Sequence, residues 1–340
     1  KLPLLLLTSS LIACGGGGGG GGSTGTTLSD TEVVEPEDQN DDEVSYTYEE
    51  PQFSVQDVTE DTLFQNANGV THALTHLLYE YNTFNTVSVV PPQYNPTLTP
   101  TATATEACDI DGAYTAEVYA PSKTEQSYNR VLYSNEYMNI RFNKCASIMT
   151  RATQYLDGQI NTRVLRGAYN SNDVIVNPTE FVEEYVALAN FDPLILHSYE
   201  NGTVEHFVTD TTHQITMDDF VTHDSYRQYG YSTFHFKNAE LTVTEIPASN
   251  IYSSSYQLTN TDPFSLSVRT SNNIHTVDII EPVIIDRFTG DAIFDGLVEV
   301  VSGNSKIQID YQYTYADVSL DSDGDGSYDT FITIDNIFYD

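Results

Sequence analysis

From residue 306 to residue 315 the chain alternates strictly. Ile307, Ile309, Tyr311, Tyr313 and Tyr315 are apolar or aromatic, and Lys306, Gln308, Asp310, Gln312 and Thr314 are polar. A period of two sends successive side chains to opposite faces, the mark of a strand with one buried and one wet face. The same alternation runs through Met138, Ile140 and Phe142 against Asn139, Arg141 and Asn143. It recurs in Leu241 and Val243 against Thr242 and Thr244. Asp-Gly pairs punctuate the pattern at Asp111-Gly112, Asp157-Gly158, Asp295-Gly296 and Asp325-Gly326, each before a strand-like run. Glycine accepts the positive φ that tight hairpin turns need. Repeated turn-then-strand units predict a mainly β body over residues 107–340, either an antiparallel sandwich or a strongly curved sheet. Residues 178–190 stay open. Asn177, Pro178 and Glu180 suit a capped helix, and a strand through Tyr185, Val186, Ala187 and Leu188 fits nearly as well.

One stretch has a different period. Leu63, Phe64, Ala67, Val70, Leu74, Leu77, Leu78 and Tyr81 recur at helical spacing. Glu60 and Asp61 stand in the first turn, where the helix dipole favours acids. One amphipathic helix is therefore expected within 57–88. His72 and His76 lie four apart with Glu80 next, a spacing that metal sites use, but Ala73 stands where an H-E-x-x-H motif carries Glu. All three fall opposite the leucine stripe, so a solvated face is the expectation. Prolines and threonines over 89–106 predict a stiff, extended linker, and the main domain boundary is placed there.

Charge removes several function classes. Lys and Arg number 13 against 49 Asp and Glu, a net charge of −36. Such a chain repels phosphate backbones and anionic headgroups, so nucleic acid is not an expected partner. It attracts divalent cations.

The chain opens KLPLLLLTSSLIACGGGGGGGG. A short apolar run after one Lys suits the core of a signal peptide, not a permanent membrane span. Leu11-Ile12-Ala13-Cys14 resembles a bacterial lipobox. That resemblance implies a signal peptide over 1–13, cleaved to leave Cys14 lipidated, and an anchored chain. Residues 14–56 follow as a glycine-rich, acidic, disordered tether. Gly15 stands where the inner-membrane retention signal is Asp, which points to the outer membrane of the cell envelope. With Cys14 lipidated, Cys108 and Cys145 remain, and an oxidising compartment predicts a disulfide between them.

The densest chemistry is at Asp321-Ser322-Asp323-Gly324-Asp325-Gly326-Ser327-Tyr328-Asp329. Counting Asp321 as position 1, carboxylates fall at 1, 3, 5 and 9, and Ser327 at 7 offers a backbone carbonyl, as in a calcium loop. Position 12 is Ile332 and not a bidentate Glu, and the flanks read as strands. Asp321, Asp323, Asp325, Ser327 and Asp329 are the expected ligands of a structural Ca2+ in a strand–loop–strand hairpin, weakly held. The alternative is an Asp-Gly turn without metal. Asp109-Ile110-Asp111 is a weaker candidate and reads better as a turn.

Catalytic motifs do not appear. Outside the glycine-rich tether there is no G-x-S-x-G, P-loop or G-x-G-x-x-G, and His197, His206, His213, His223, His235 and His275 are scattered. No catalytic residue is assigned.

Cys108…Gly112, Phe142-Asn143-Lys144-Cys145, Leu156-Asp157-Gly158 and the terminal D-S-D-G-D-G hairpin follow a lipobox, a glycine tether and a helix. That order resembles uncharacterised lipoproteins of marine-type gammaproteobacteria. The resemblance implies an envelope location and a β fold, and it brings no activity. The expectation is an outer-membrane-anchored, non-enzymatic β module that binds or structures, with structural calcium. A periplasmic carrier of a lipid or apolar ligand and a hydrolase with an unrecognised carboxylate pair are the alternatives.

Overall fold

The computed structural model describes residues 48, 51–81, 102–108, 110–119, 132–149, 152–169, 174–191, 196–224, 232–246, 255–286, 293–313 and 315–335. The expected signal peptide (1–13), Cys14, the tether apart from residues 48 and 51–56, and residues 82–101 lie outside them. A helix, α1 (Glu60–Glu80), comes first. Among the described residues, sixteen strands then form a single sheet. They begin with β1 (Ala102–Ala107), β2 (Asp111–Tyr119), β3 (Leu132–Tyr133), β4 (Tyr137–Met149), β5 (Ala152–Tyr169) and β6 (Val174–Phe191). Next come β7 (Leu196–Val208), β8 (Thr212–Asp224), β9 (Ser232–Ile246), β10 (Ser255–Asn260) and β11 (Phe264–Val268). The last five are β12 (Asn273–Asp286), β13 (Ile293–Ser302), β14 (Ser305–Gln312), β15 (Tyr315–Asp321) and β16 (Thr330–Asp335).

The sheet is an antiparallel meander in which neighbours in sequence are neighbours in space. Two interruptions break the order. β10 and β11 lie end to end between β9 and β12, and β3 and β4 do the same along β5. With one sheet, the curved arrangement is the one the chain adopts. Residues 178–190 are strand. Phe181, Glu183 and Tyr185 share one face of β6, and Phe181 and Glu183 are buried there.

The Asp-Gly pairs are not four hairpins. Only Asp325-Gly326 sits in a turn between strands. Asp111-Gly112, Asp157-Gly158 and Asp295-Gly296 lie within strands, at breaks of register. A tight turn and a bulge both need positive φ beside a short polar side chain, so the dipeptide alone does not distinguish them. The bulges line up. Gly112, Lys144, Gly158, Ala187 and Gly202, on β2, β4, β5, β6 and β7, have φ of 72°, 44°, 107°, 46° and 117°. Each lies beside the next across the ladder. The Asp157 carboxylate accepts the Lys144 N–H at 3.2 Å, and the Asn201 side chain accepts the Ala187 N–H at 3.1 Å. A Cβ on Gly158 would collide with the Ala187 carbonyl. A bulge bends its strand and adds twist, so five in a row crease the sheet along a line.

The sheet curves around α1. Val58, just before the helix, donates its N–H to Ser305 of β14 at 2.7 Å. Asn66 meets Asn273 of β12 at 3.2 Å, and Thr71 meets the Tyr311 hydroxyl of β14 at 2.7 Å. Near the other end His76 meets Thr222 of β8 at 3.4 Å, and the Tyr81 carbonyl meets His213 of β8 at 3.1 Å. Leu63, Ala67, Val70, Leu74, Leu77 and Leu78 form one core with inward residues of β7 to β16. The helix is therefore no separate domain; it is the filling of the curved sheet. This corrects the solvated-face expectation for His76, which is buried, because the helix is gripped from more than one side. Thr71 and Thr75 are buried too and turn their hydroxyls back to helix carbonyls at 2.9 and 2.8 Å. Phe64, counted in the apolar stripe, is exposed, although its neighbour Leu63 is fully buried.

Other boundaries move. β1 begins at Ala102, inside the expected linker 89–106, and all six of its residues pair with β2. The end of the expected tether is fixed to the body: Ser54 bridges Asn273, and Tyr48 stacks on Tyr199 with ring centroids 3.9 Å apart. Ile307, Ile309 and Tyr311 are buried as the alternation predicts, whereas Tyr313, at the end of that run, is exposed.

Cys108 and Cys145 are joined by a disulfide, Cα–Cα 5.4 Å. It fastens the start of the sheet to the bulged turn of β4. Cys145 is buried with Phe142, Leu156 and Leu188 in a smaller core cluster.

Candidate functional site

The acidic loop joins β15 to β16. β15 turns Ala316, Val318 and Leu320 inward, and Asp321 closes the strand, 2 % exposed. The loop then wraps around the Asp321 carboxylate. One of its oxygens accepts the N–H of Gly324 at 2.8 Å and of Asp325 at 3.2 Å, and the other accepts Gly326 at 2.9 Å. Gly324 and Gly326 hold positive φ (75° and 91°), which lets three N–H groups point at one carboxylate. Burial pushes the Asp321 carboxyl up, but the N–H groups of Gly326, Gly324, Asp325 and Asp323 outweigh it and hold it below the ordinary carboxylate range.

Of the five expected ligands, three converge. Oxygens of Asp321, Asp323 and Asp325 lie within 4.8 Å of one another, with Asp323 and Asp325 exposed. Hard oxygens at that spacing, in a chain with a large negative charge, suit a divalent cation such as calcium. Asp329 stands apart and closes the loop by accepting the Ser322 N–H at 3.3 Å and hydroxyl at 2.9 Å. Ser327 gives its N–H to Asp325 at 2.7 Å. Ile332, at the position where a calcium loop carries its bidentate Glu, lies in β16. The second candidate does not form a site in the described residues. Asp111 binds the N–H of its own Gly112 at 2.7 Å, and Asp109 lies outside them.

No protein-family model, curated protein or solved structure matches the chain. The function must be read from this geometry alone.

One polar assembly escaped the sequence. Glu183 and Tyr185 of β6, His206 of β7 and His213 of β8 meet inside the sheet, where α1 ends. The Tyr185 hydroxyl donates to Glu183 at 2.8 Å, and His206 Nε2 stands 3.6 Å from the same carboxylate oxygen. His206 Nδ1 bonds His213 Nε2 at 2.9 Å, and His213 Nδ1 bonds the Tyr81 carbonyl at 3.1 Å. Phe181 stacks on His206 at 4.3 Å. Burial, then the nearby His213, holds His206 well below the usual histidine range. Burial lowers His213 to about 4, against a smaller upward pull from the Tyr81 carbonyl. Burial, then the charge of Glu183, pushes the Tyr185 phenol up. A signal was present in the sequence. Glu183 sits on the inward phase between Phe181 and Tyr185, and His206 sits between Val204 and Val208. A polar residue on the apolar phase of a strand marks a buried network.

Proposed function

We propose that this protein is an envelope-anchored, non-enzymatic β module whose C-terminal hairpin is clasped by a structural calcium ion. The observation that carries this is the convergence of the Asp321, Asp323 and Asp325 carboxylates at one strand-to-strand turn. The loop's own N–H groups already fold it around Asp321, so the cation's part is to neutralise crowded charge and hold the hairpin closed. Asp321, Asp323 and Asp325 supply the oxygens, with Asp329 bracing the loop from outside the cluster. Anchoring is proposed from the lipobox-like stretch ending in Cys14. A binding or structural role agrees with the interior, since α1 fills the concave side where a carrier would hold its ligand.

Calorimetry tests the metal. Wild-type chain should bind calcium with a dissociation constant of about 10⁻⁴–10⁻³ M, and Asp323→Asn/Asp325→Asn should not. Equal heats from both, or none from wild type, end the calcium reading. Palmitate labelling of wild type and Cys14→Ala tests the anchor, and equal labelling removes it.

A further inference from the structure

The sheet has two outer edges, and they are built differently. β16 ends the strand order, and among the described residues it pairs with β15 alone. Alternate residues of an edge strand turn their N–H and C=O groups away from the sheet, which makes a template for a further strand. Edges are commonly guarded by Lys, Pro or a bulge. β16 reads Thr330-Phe331-Ile332-Thr333-Ile334-Asp335, with neither Lys nor Pro, and its register with β15 runs without a break. Phe331 is 68 % exposed on the outward phase, and the Tyr328 ring lies 6.5 Å from it. On the inward phase Ile334 is buried, but Ile332 is only half-buried where it packs against the main core. A strand laid outside β16 would cover Ile332 from its open side. β1, at the other end of the order, is Ala102-Thr103-Ala104-Thr105-Glu106-Ala107 and offers no large apolar side chain.

The ground behind the β16 edge is acidic. Asp310 of β14 and Asp317 of β15 stand directly opposite one another, and both are exposed. Like charges so placed oppose each other. Thr333 of β16 is next in that row and donates its hydroxyl to Asp317 at 2.7 Å. Asp323, Asp325 and Asp329 are exposed at the loop end of the strand. From β14 to β16 the one basic residue is Lys306, and it is already paired with Glu299. A second copy of the chain would set the same carboxylates against these, so charge opposes self-pairing. Strand spacing places Asp317 about 10 Å from an added strand, a gap that a Lys or Arg side chain spans by passing over Thr333. An Arg guanidinium also suits the exposed ring of Phe331.

We propose that the β16 edge is a docking site for an extended, basic segment of a partner protein, which adds to the sheet as a further strand. Its backbone continues the ladder. Its inward residues are apolar and cover Ile332, and its outward residues are Lys or Arg and face Phe331, Asp317 and the acidic loop. In this mode main-chain hydrogen bonds give affinity and the alternate side chains select the partner. The site needs neither the calcium ion nor the lipid anchor, so it stands or falls apart from both.

Fluorescence anisotropy and hydrogen exchange of the full chain test this, with a labelled peptide that alternates valine with lysine and arginine. That peptide is expected to bind on the order of tenfold more tightly than one with glutamate at the charged positions. Exchange at residues 330–335 should slow on the order of tenfold when it binds, with β4 to β7 unchanged. Phe331→Lys puts a guard on the edge at an exposed position and should weaken binding on the order of tenfold. No binding, equal binding of the two peptides, protection that misses residues 330–335, or undiminished binding by Phe331→Lys overturns the proposal. So does a dimer of the chain in light scattering that Phe331→Lys dissolves, because the edge would then serve self-pairing. If Phe331→Lys does not fold, the wild-type exchange map decides. Protection at residues 330–335 by the basic peptide supports the docking site, and protection only elsewhere overturns it.

Discussion

Strands β13 to β16 and strands β4 to β7 share one antiparallel ladder, but they are held in different ways. In the first group the register runs unbroken from Gly296 to Asp335 across three pairings. Its inward residues join one large core around α1. In the second group every pairing carries at least one break, and, Val204 of β7 apart, the clustered inward residues divide among smaller cores. Here the fold is fixed by local devices: the crease of positive-φ residues, the Asp157 and Asn201 side chains that cap bulged N–H groups, and the disulfide. A long strand on a curved sheet must bend. Where a helix fills the curve, packing holds the bend; where none does, backbone chemistry and a covalent bond hold it.

Four perturbations sharpen or break this contrast. Replacing both Cys108 and Cys145 with Ser should have the largest effect. Closing a loop of this length is worth about 4 kcal/mol in the chain-entropy model. Urea unfolding should show the loss, and hydrogen exchange should confine it to β1 through β6. An equal loss in β13 to β16 would mean that the halves are not distinct. Leu74→Ala empties the centre of the other half and should cost about 3 kcal/mol, with exchange rising across β8 to β16.

Acid should weaken the half of the sheet that α1 fills, where His213 and His275 lie, on β8 and β12. Burial holds His213 and His275 down to about 4, against an ordinary 6.5. A depressed histidine means that the unfolded chain takes the proton first. Stability is therefore complete above pH 6.5 and falls as the pH drops from 6.5 towards 4, by about 2 kcal/mol for each ring at pH 5. Thermal melts from pH 7.5 to pH 5 should follow that slope. His275 has both ring nitrogens without hydrogen-bond partners among the described residues. His275→Leu should leave stability at pH 7.5 unharmed and remove its share of the acid loss.

Gly158→Ala should have the smallest effect, about 2 kcal/mol, from strain at positive φ and collision with the Ala187 carbonyl. Urea midpoints read it. A neutral result would show that the crease is ornamental and that β4 to β7 are packed like β13 to β16.

Much of the architecture was legible in the residues. Period-two alternation through Ile307, Ile309 and Tyr311 located a buried strand face, and the apolar spacing from Leu63 to Leu78 located the helix. The acidic loop was visible as a loop because its carboxylates and glycines are local in sequence. The misreadings have physical causes. Asp-Gly reads as a hairpin because turn and bulge share the same φ requirement. His76 reads as exposed because a helical wheel shows which residues share a face, not how many faces are covered. Glu183, His206 and His213 reached one point only through the pairing of β6, β7 and β8.

By itself the sequence determined everything that depends on nearest neighbours. This covers strand alternation, the helix and the clustered aspartates at 321–329. Those signals are set by backbone geometry and by charges a few residues apart, so they need no fold to be read. Tertiary structure decided that the sheet curls around its own helix, that glycines far apart in sequence align into a crease, and that two histidines share a hydrogen bond inside the body. Each of those is a contact between distant segments, and only the pairing of whole strands brings them within reach.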